Sequence, residues 1–216
     1  MNRLKKISKA ELRQHRQVRR YYKFQSKLYD STHWAFLLGR ISLLKQIPFK
    51  HQDAFLLAEV GCGTGFNLKY LAQKYPQVNL MGVDISPEML RIARQKMSRF
   101  DQQKSFYQQA YNLNSSFLQN PPDILLFSYS LSMMNPQWKD SIEKAKMDLP
   151  CGGMIMVVDF HHSPFSGIKK YLMNHHVRLG GQILPELEKQ FITVNKEVHT
   201  AYGGLWQYMI YVGEKA

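Results

Sequence analysis

The stretch Ala58-Glu59-Val60-Gly61-Cys62-Gly63-Thr64-Gly65-Phe66-Asn67 constrains this chain more than any other. It follows the apolar run Ala54 to Leu57 and precedes a helical pattern. It therefore reads as the end of a buried strand, a tight glycine turn and the start of a helix. Without Cβ atoms at Gly61, Gly63 and Gly65, a ligand can lie directly on the backbone and the chain can take positive φ. The helix beyond offers unpaired N–H groups at its start. About twenty residues on, Leu80-Met81-Gly82-Val83-Asp84 reads as a second strand ending in an acid placed to hold a ribose diol. Together these features predict a nucleoside-bearing cofactor at the carboxyl edge of a parallel sheet.

Glycine spacing narrows the cofactor. The dinucleotide fingerprint G-x-G-x-x-G would need glycine at position 66, where Phe66 stands, and the chain has no G-x-x-x-x-G-K-[ST] run. The segments Glu59 to Gly65 and Gly82-Val83-Asp84-Ile85-Ser86-Pro87-Glu88-Met89-Leu90 resemble the first two motifs of class I S-adenosylmethionine-dependent methyltransferases. The resemblance implies S-adenosylmethionine as cofactor and a role for each matching residue. Glu59 would pair with the cofactor's amino end. The turn Gly61, Cys62, Gly63 and Gly65 would pass beneath its methionine part, with Cys62 filling space. Asp84 would accept from both ribose hydroxyls, and Ile85 and Met89 would flank the adenine. The next strand end, Tyr107 to Asn112, lacks the acid that many relatives place on the adenine amino group. That leaves backbone groups near Ala110 and Tyr111, or the Asn112 amide. Ser128, Tyr129 and Ser130, at the end of a later strand, are expected to face the cofactor.

Alternating elements predict an α/β fold with a doubly wound, mostly parallel seven-stranded sheet. Strands are expected near 55–60, 79–84, 104–109, 123–127 and 153–159, with helices near 66–75, 87–99 and 136–148. Helical patterns also cover 9–28, 34–47, 164–178 and 185–190, and a terminal antiparallel hairpin is expected over 191–199 and 205–212. The 216-residue chain divides into a basic helical arm over 1–50 and a methyltransferase domain over 51–216. The arm carries 13 Lys/Arg against Glu11 and Asp30, out of a net charge of +13 for the whole chain. Such asymmetry points to an anionic surface as partner.

Tyr29-Asp30-Ser31-Thr32, the aromatic stretch running to Leu38-Gly39-Arg40, Phe127 to Met134 with Trp138, and Val157 to Phe160 are similar to the betaine-lipid N-methyltransferases. That resemblance implies an amine-bearing lipid as acceptor and an anionic membrane surface beneath the basic arm. Phosphatidylethanolamine, a quinone, an RNA, or cofactor binding without catalysis are the alternatives. Nucleic acid is the weaker partner, because Asn135-Pro136-Gln137-Trp138 is not an Asn-Pro-Pro-Tyr-like motif and no RNA-binding module is present. Tyr22, Tyr29, Tyr129 and Tyr202 are candidates for an aromatic lining around cationic groups, Tyr22 on the cofactor side. Asp159 and His161, at the end of a later strand, could accept the amine proton or hold the amino-acid head group. No metal is expected: His175 and His176 are adjacent, and Cys62 and Cys151 lack ligand spacing. With no apolar run of spanning length and no signal-peptide core at the start, the expected location is the cytoplasm, with peripheral membrane association.

Overall fold

The computed structural model describes residues 37–115, 120–174, 177 and 179–216. The basic arm's helix, Tyr22 and Tyr29 lie outside the described residues, as do His175 and His176. Helix α1 (Arg40–Leu44) precedes β1 (Leu56–Val60), α2 (Phe66–Lys74), β2 (Asn79–Asp84), α3 (Pro87–Met97) and β3 (Lys104–Gln108). There follow β4 (Ile124–Ser128), α4 (Trp138–Asp148), β5 (Met154–His162), α5 (Ser166–Asn174), α6 (Ile183–Gln190), β6 (Ile192–Ala201) and β7 (Trp206–Glu214). Single turns of 3₁₀-helix, Leu131–Met133 and Tyr202–Gly204, follow β4 and β6.

The seven strands form one sheet in the order β3-β2-β1-β4-β5-β7-β6. β1 to β5 run parallel, and the terminal hairpin adds β7 antiparallel to β5 with β6 outermost. Both faces are covered, and successive residues point to opposite cores. Leu57, Leu126, Met156 and Val158 pack with Leu43, Leu68 and Leu90 from α1, α2 and α3. Ala58, Leu125, Phe127 and Val157 pack on the other face with Ile142 of α4 and Leu187 of α6. Ile124 to Phe127 are fully buried, each large side chain contributing about 1.5–3 kcal/mol.

Register brings the chemistry to one edge. Val60 pairs with Val83 and with Phe127, Asp84 with Gln108, and Ser128 with Val158. The next residues along these strands (Gly61, Asp84, Gln109, Ser128 and Asp159) therefore emerge along a single carboxyl edge, where open α/β sheets bind ligands.

Three helices differ from their sequence-based bounds. The helix expected over 34–47 is only Arg40–Leu44 in the described chain. Gly39 takes φ 78° at its start, where a Cβ would sit 2.5 Å from the Tyr208 ring. α5 is described over Ser166–Asn174, and beyond it the Val177 N–H donates to the Leu172 carbonyl. α6 begins at Ile183, so Pro185 sits inside the first turn, where its missing N–H has no helical partner to lose.

Candidate active site

The glycine turn after β1 is fixed to β2 by its own backbone. Gly61 and Cys62 both donate to the Val83 carbonyl, at 2.8 and 3.0 Å. Gly61 has φ 74°, and a Cβ there would lie 2.5 Å from the Ser130 Cβ. Gly63, at φ 51°, has open space where a Cβ would project. The two glycines thus serve different ends: one admits the neighbouring loop, the other leaves room above the turn. Gly65, at φ 74°, caps α2 and lets it approach Ala93 of α3, 3.1 Å from the place of a Cβ.

Asp84 is the charged centre of the crevice. Its Oδ2 accepts from the Gly63 N–H at 2.9 Å and its Oδ1 from the Ser86 N–H at 2.8 Å. Each oxygen keeps a lone pair, so the carboxylate is aimed to receive two further donors. Burial pushes its pKa up to about 6, against the pull of the backbone donors Ser86, Gly63 and Ile85. Glu59 lies deeper. Asn67 Nδ2 donates to its Oε1 at 2.6 Å, while Oε2 is buried without a partner among the described residues. Burial lifts this carboxyl to about 8; the Asn67 hydrogen bond and the Arg40 charge oppose it. Arg40 itself stacks on the Phe66 ring, 4.1 Å from its centroid.

The crevice runs from Gly61 and Gly63 past Asp84, Ile85 and Ala110 to Tyr111, and across to Ser128, Tyr129 and Ser130. Gln109 Nε2, Ser128 Oγ and Ser130 Oγ are buried along it with no hydrogen-bond partner among the described residues. Buried polar groups are normally paired, so this row of orphaned atoms is the imprint of a polar ligand. A nucleoside matches it, with a diol for Asp84 and an apolar slot at Ile85 and Ala110; Glu59 is buried and is not among the residues that line the crevice. The residues present therefore fit S-adenosylmethionine. Tyr111 is held by its hydroxyl donating to Asp148 Oδ2 at 2.7 Å and by an edge contact with Phe127.

Several expected site residues stand elsewhere. Met89 is fully buried and does not line the crevice; its N–H donates to the Ser86 cap that starts α3. Gly65 packs helices rather than cofactor, as given above. Cys62 turns its Sγ back toward Gly82, 2.9 Å from where that glycine's Cβ would be, and burial pushes its thiol up. Asn112 closes its own loop by accepting from the Asn114 N–H, whereas Gln109 lines the crevice with its amide unpaired among the described residues. Tyr129 lines the crevice with φ 55°, a strained value for a large side chain. Its hydroxyl is committed, donating to the Leu38 carbonyl at 2.7 Å.

The expected proton acceptors are not in the crevice. Asp159 is wholly buried, its oxygens accepting from the Ser132 N–H at 3.0 Å and the Phe160 N–H at 2.8 Å. It anchors the 3₁₀ turn after β4 and does not meet solvent. His161 faces Gly181, and burial with the neighbouring His162 lowers its pKa. Tyr202, exposed at the hairpin tip, packs at a tilt against Trp206, ring centroids 4.9 Å apart. Sequence reasoning passed over Met133, Met134, Asn135, Gln137 and Ser141, which complete the wall. The signal available was position: all follow β4, at the same edge as Gly61 and Asp84. Among the described residues no three His, Cys, Asp or Glu side chains come together to hold a metal.

Residues 58–155 match a family model described as a methyltransferase domain. The chain is 33% identical over 126 residues to carboxy-S-adenosyl-L-methionine synthase from Campylobacter lari, covering 56% of this chain and 52% of that protein. It is 42% identical over 55 residues to trans-aconitate 2-methyltransferase from Afipia carboxidovorans, covering 26% and 21%. The chain thus spans about half, or less, of the length of these curated relatives. Among solved structures, the N-methyltransferase NodS from Bradyrhizobium japonicum WM9, in complex with S-adenosyl-L-homocysteine, superposes with a TM-score of 0.62. That match covers 97% of this chain and 89% of NodS at 14% identity, a likeness of fold. Residues 58–155 thus resemble a methyltransferase domain, and the strand order is that of the doubly wound α/β fold shared with the solved neighbour.

Proposed function

We propose that this protein transfers a methyl group from S-adenosylmethionine to an uncharged amine, and that the amine is carried by a lipid head group. The observation that carries the methyltransferase reading is the Asp84 carboxylate, aimed by the Gly63 and Ser86 N–H groups into a crevice lined by unpartnered polar atoms. In this reading Asp84 holds the ribose, Ile85 and Ala110 enclose the adenine, Gln109 reads its edge, and Glu59 takes the ammonium. When bound, the cofactor would supply an electrophilic sulfonium methyl to the neutral amine, its displaced electron pair remaining on sulfur and the amine proton leaving to solvent. The protein's part is positioning and exclusion of water. Ser128 and Ser130 fix the reacting end by hydrogen bonds, while Met133 and Met134 keep it dry. No strong base is required, because an amine that enters neutral needs only a route for its proton after transfer.

The lipid assignment is supported by the resemblance set out from the sequence, by the charge of the first fifty residues, and by the apolar side chains exposed on α5, Tyr171 and Met173. A second reading is methylation of a small carboxylate, favoured by the trans-aconitate 2-methyltransferase match. Purified protein given methyl-labelled cofactor, with either total lipid extract or a mixture of small polycarboxylates, separates the two. Label entering the organic phase upholds the lipid amine; label only on the carboxylates overturns it. Label in neither, with no cofactor binding by calorimetry, removes the methyltransferase reading itself.

A further inference from the structure

Off the carboxyl end of β5 lies a second cavity, of about 480 Å³, within the roughly 300–1,000 Å³ of small-molecule sites. Leu131, Trp138, Phe160, Met173 and Leu179 give it apolar walls. Asn135 lines both this cavity and the cofactor crevice, so the two share a side chain as common wall. The 3₁₀ turn held by Asp159 divides them, with Leu131 and Ser132 toward one and Met133 toward the other.

The cavity's charge is one-sided. Lys169 is the cation among its described lining residues, and none of those residues is acidic. Lys169 is half-buried and has no acidic partner among the described residues. It stands one helical turn from Met173, on the same face of α5. A partly desolvated ammonium beside apolar walls is costly until an anion meets it. α5 also exposes Tyr171, and Phe165 is exposed just before the helix begins, so the apolar character extends outward from the cavity.

We propose that this cavity is the acceptor-binding site and that it takes an amphiphilic anion: an apolar body against Trp138, Phe160 and Leu179, and an anionic group on Lys169. The acceptor's nucleophilic end then passes Asn135 into the cofactor crevice. The assignment deepens the methyltransferase reading and rests on it for what becomes of the acceptor; occupancy of the cavity is measurable without cofactor.

The test titrates the full-length protein with submicellar dodecyl phosphate, butyl phosphate and dodecyltrimethylammonium, by calorimetry and tryptophan fluorescence. Dodecyl phosphate binds at least about tenfold tighter than either of the others, because only it satisfies both walls and cation. Lys169→Met and Leu179→Trp each weaken dodecyl phosphate by at least about tenfold, the first by removing the charge and the second by filling the volume, while S-adenosylmethionine affinity stays within about twofold. Lys169→Met keeps the apolar stem of a half-buried side chain and removes only its charge, so its result stands even where Leu179→Trp disturbs folding. Equal binding of the three probes, or unchanged dodecyl phosphate affinity in Lys169→Met, overturns the proposal. Normal dodecyl phosphate binding in a protein that fails to bind S-adenosylmethionine upholds the cavity assignment and sinks the methyltransferase reading alone.

Discussion

The two halves of the sheet solve different problems. The half from β3 to β4 presents a backbone turn, a carboxylate gripped by two N–H groups, and a row of unpartnered polar atoms. It is shaped for one ligand. The half that begins at β5 spends its buried acid internally, Asp159 holding a turn, and beside it lies a cavity with apolar walls and one cation among its described lining residues. The family model stops at residue 155, just after β5 begins. A cofactor half with fixed polar geometry and an acceptor half shaped by apolar packing can vary independently. That division is how one fold serves many acceptors.

The comparison predicts that substitutions in the first half act on the cofactor and those in the second do not. The largest effect is expected at the turn. Gly61→Val places atoms on Ser130 and forces a left-handed φ on a β-branched residue, costing about 3 kcal/mol or more of stability in denaturant titration. Gly63→Ala meets open space, so it folds at a cost of about 1–2 kcal/mol yet blocks cofactor binding; equal effects at both glycines would break the distinction between packing and ligand clearance. Asp84→Ala comes next, weakening S-adenosylmethionine by about 2 kcal/mol in calorimetry through lost charge-assisted hydrogen bonds. Unchanged affinity would remove Asp84 from the ribose.

Proton linkage gives a finer test. With Glu59 raised from 4.5 to about 8 in the free protein, the fold favours its protonated form. The stability this carboxyl contributes is present at low pH and is lost as pH rises through about 8. A bound ammonium reverses that preference and expels the proton. Cofactor affinity should therefore rise with pH from about 6 to about 8, by up to about tenfold per unit, with protons released into buffers of differing ionisation enthalpy. Glu59→Gln flattens the profile; a profile that survives the substitution assigns the linkage elsewhere. The smallest effect is expected at His161→Ala, which lies outside the crevice and should leave cofactor affinity within about twofold.

The strands, the glycine turn and the acid at the end of β2 were legible because each depends on local pattern: apolar alternation, missing Cβ atoms, an acid after a buried run. Met89 misled because it follows the motif in sequence, while a helix started by the Ser86 cap turns it inward. Asp159 and His161 misled in another way. Ending a strand at the right edge does not say whether a side chain faces ligand or the next turn, and Asp159 is drawn to the unpaired N–H groups of Ser132 and Phe160. Gln109 escaped notice because its lone amide becomes informative only when it is seen buried and unpaired.

By itself the sequence determined the doubly wound sheet and the placing of the glycine turn and Asp84 at one carboxyl edge, because those follow from short-range periodicity and from what glycine and aspartate can do in a strand-end turn. Only the tertiary structure decided which strand-end groups are spent on the protein's own backbone and which are left for a ligand. It also set the second cavity beside the first. Both depend on contacts between segments far apart in the chain, where Leu38 meets Tyr129 and Lys169 and Met173 meet the loop after β4, and no local pattern encodes where those segments come to rest.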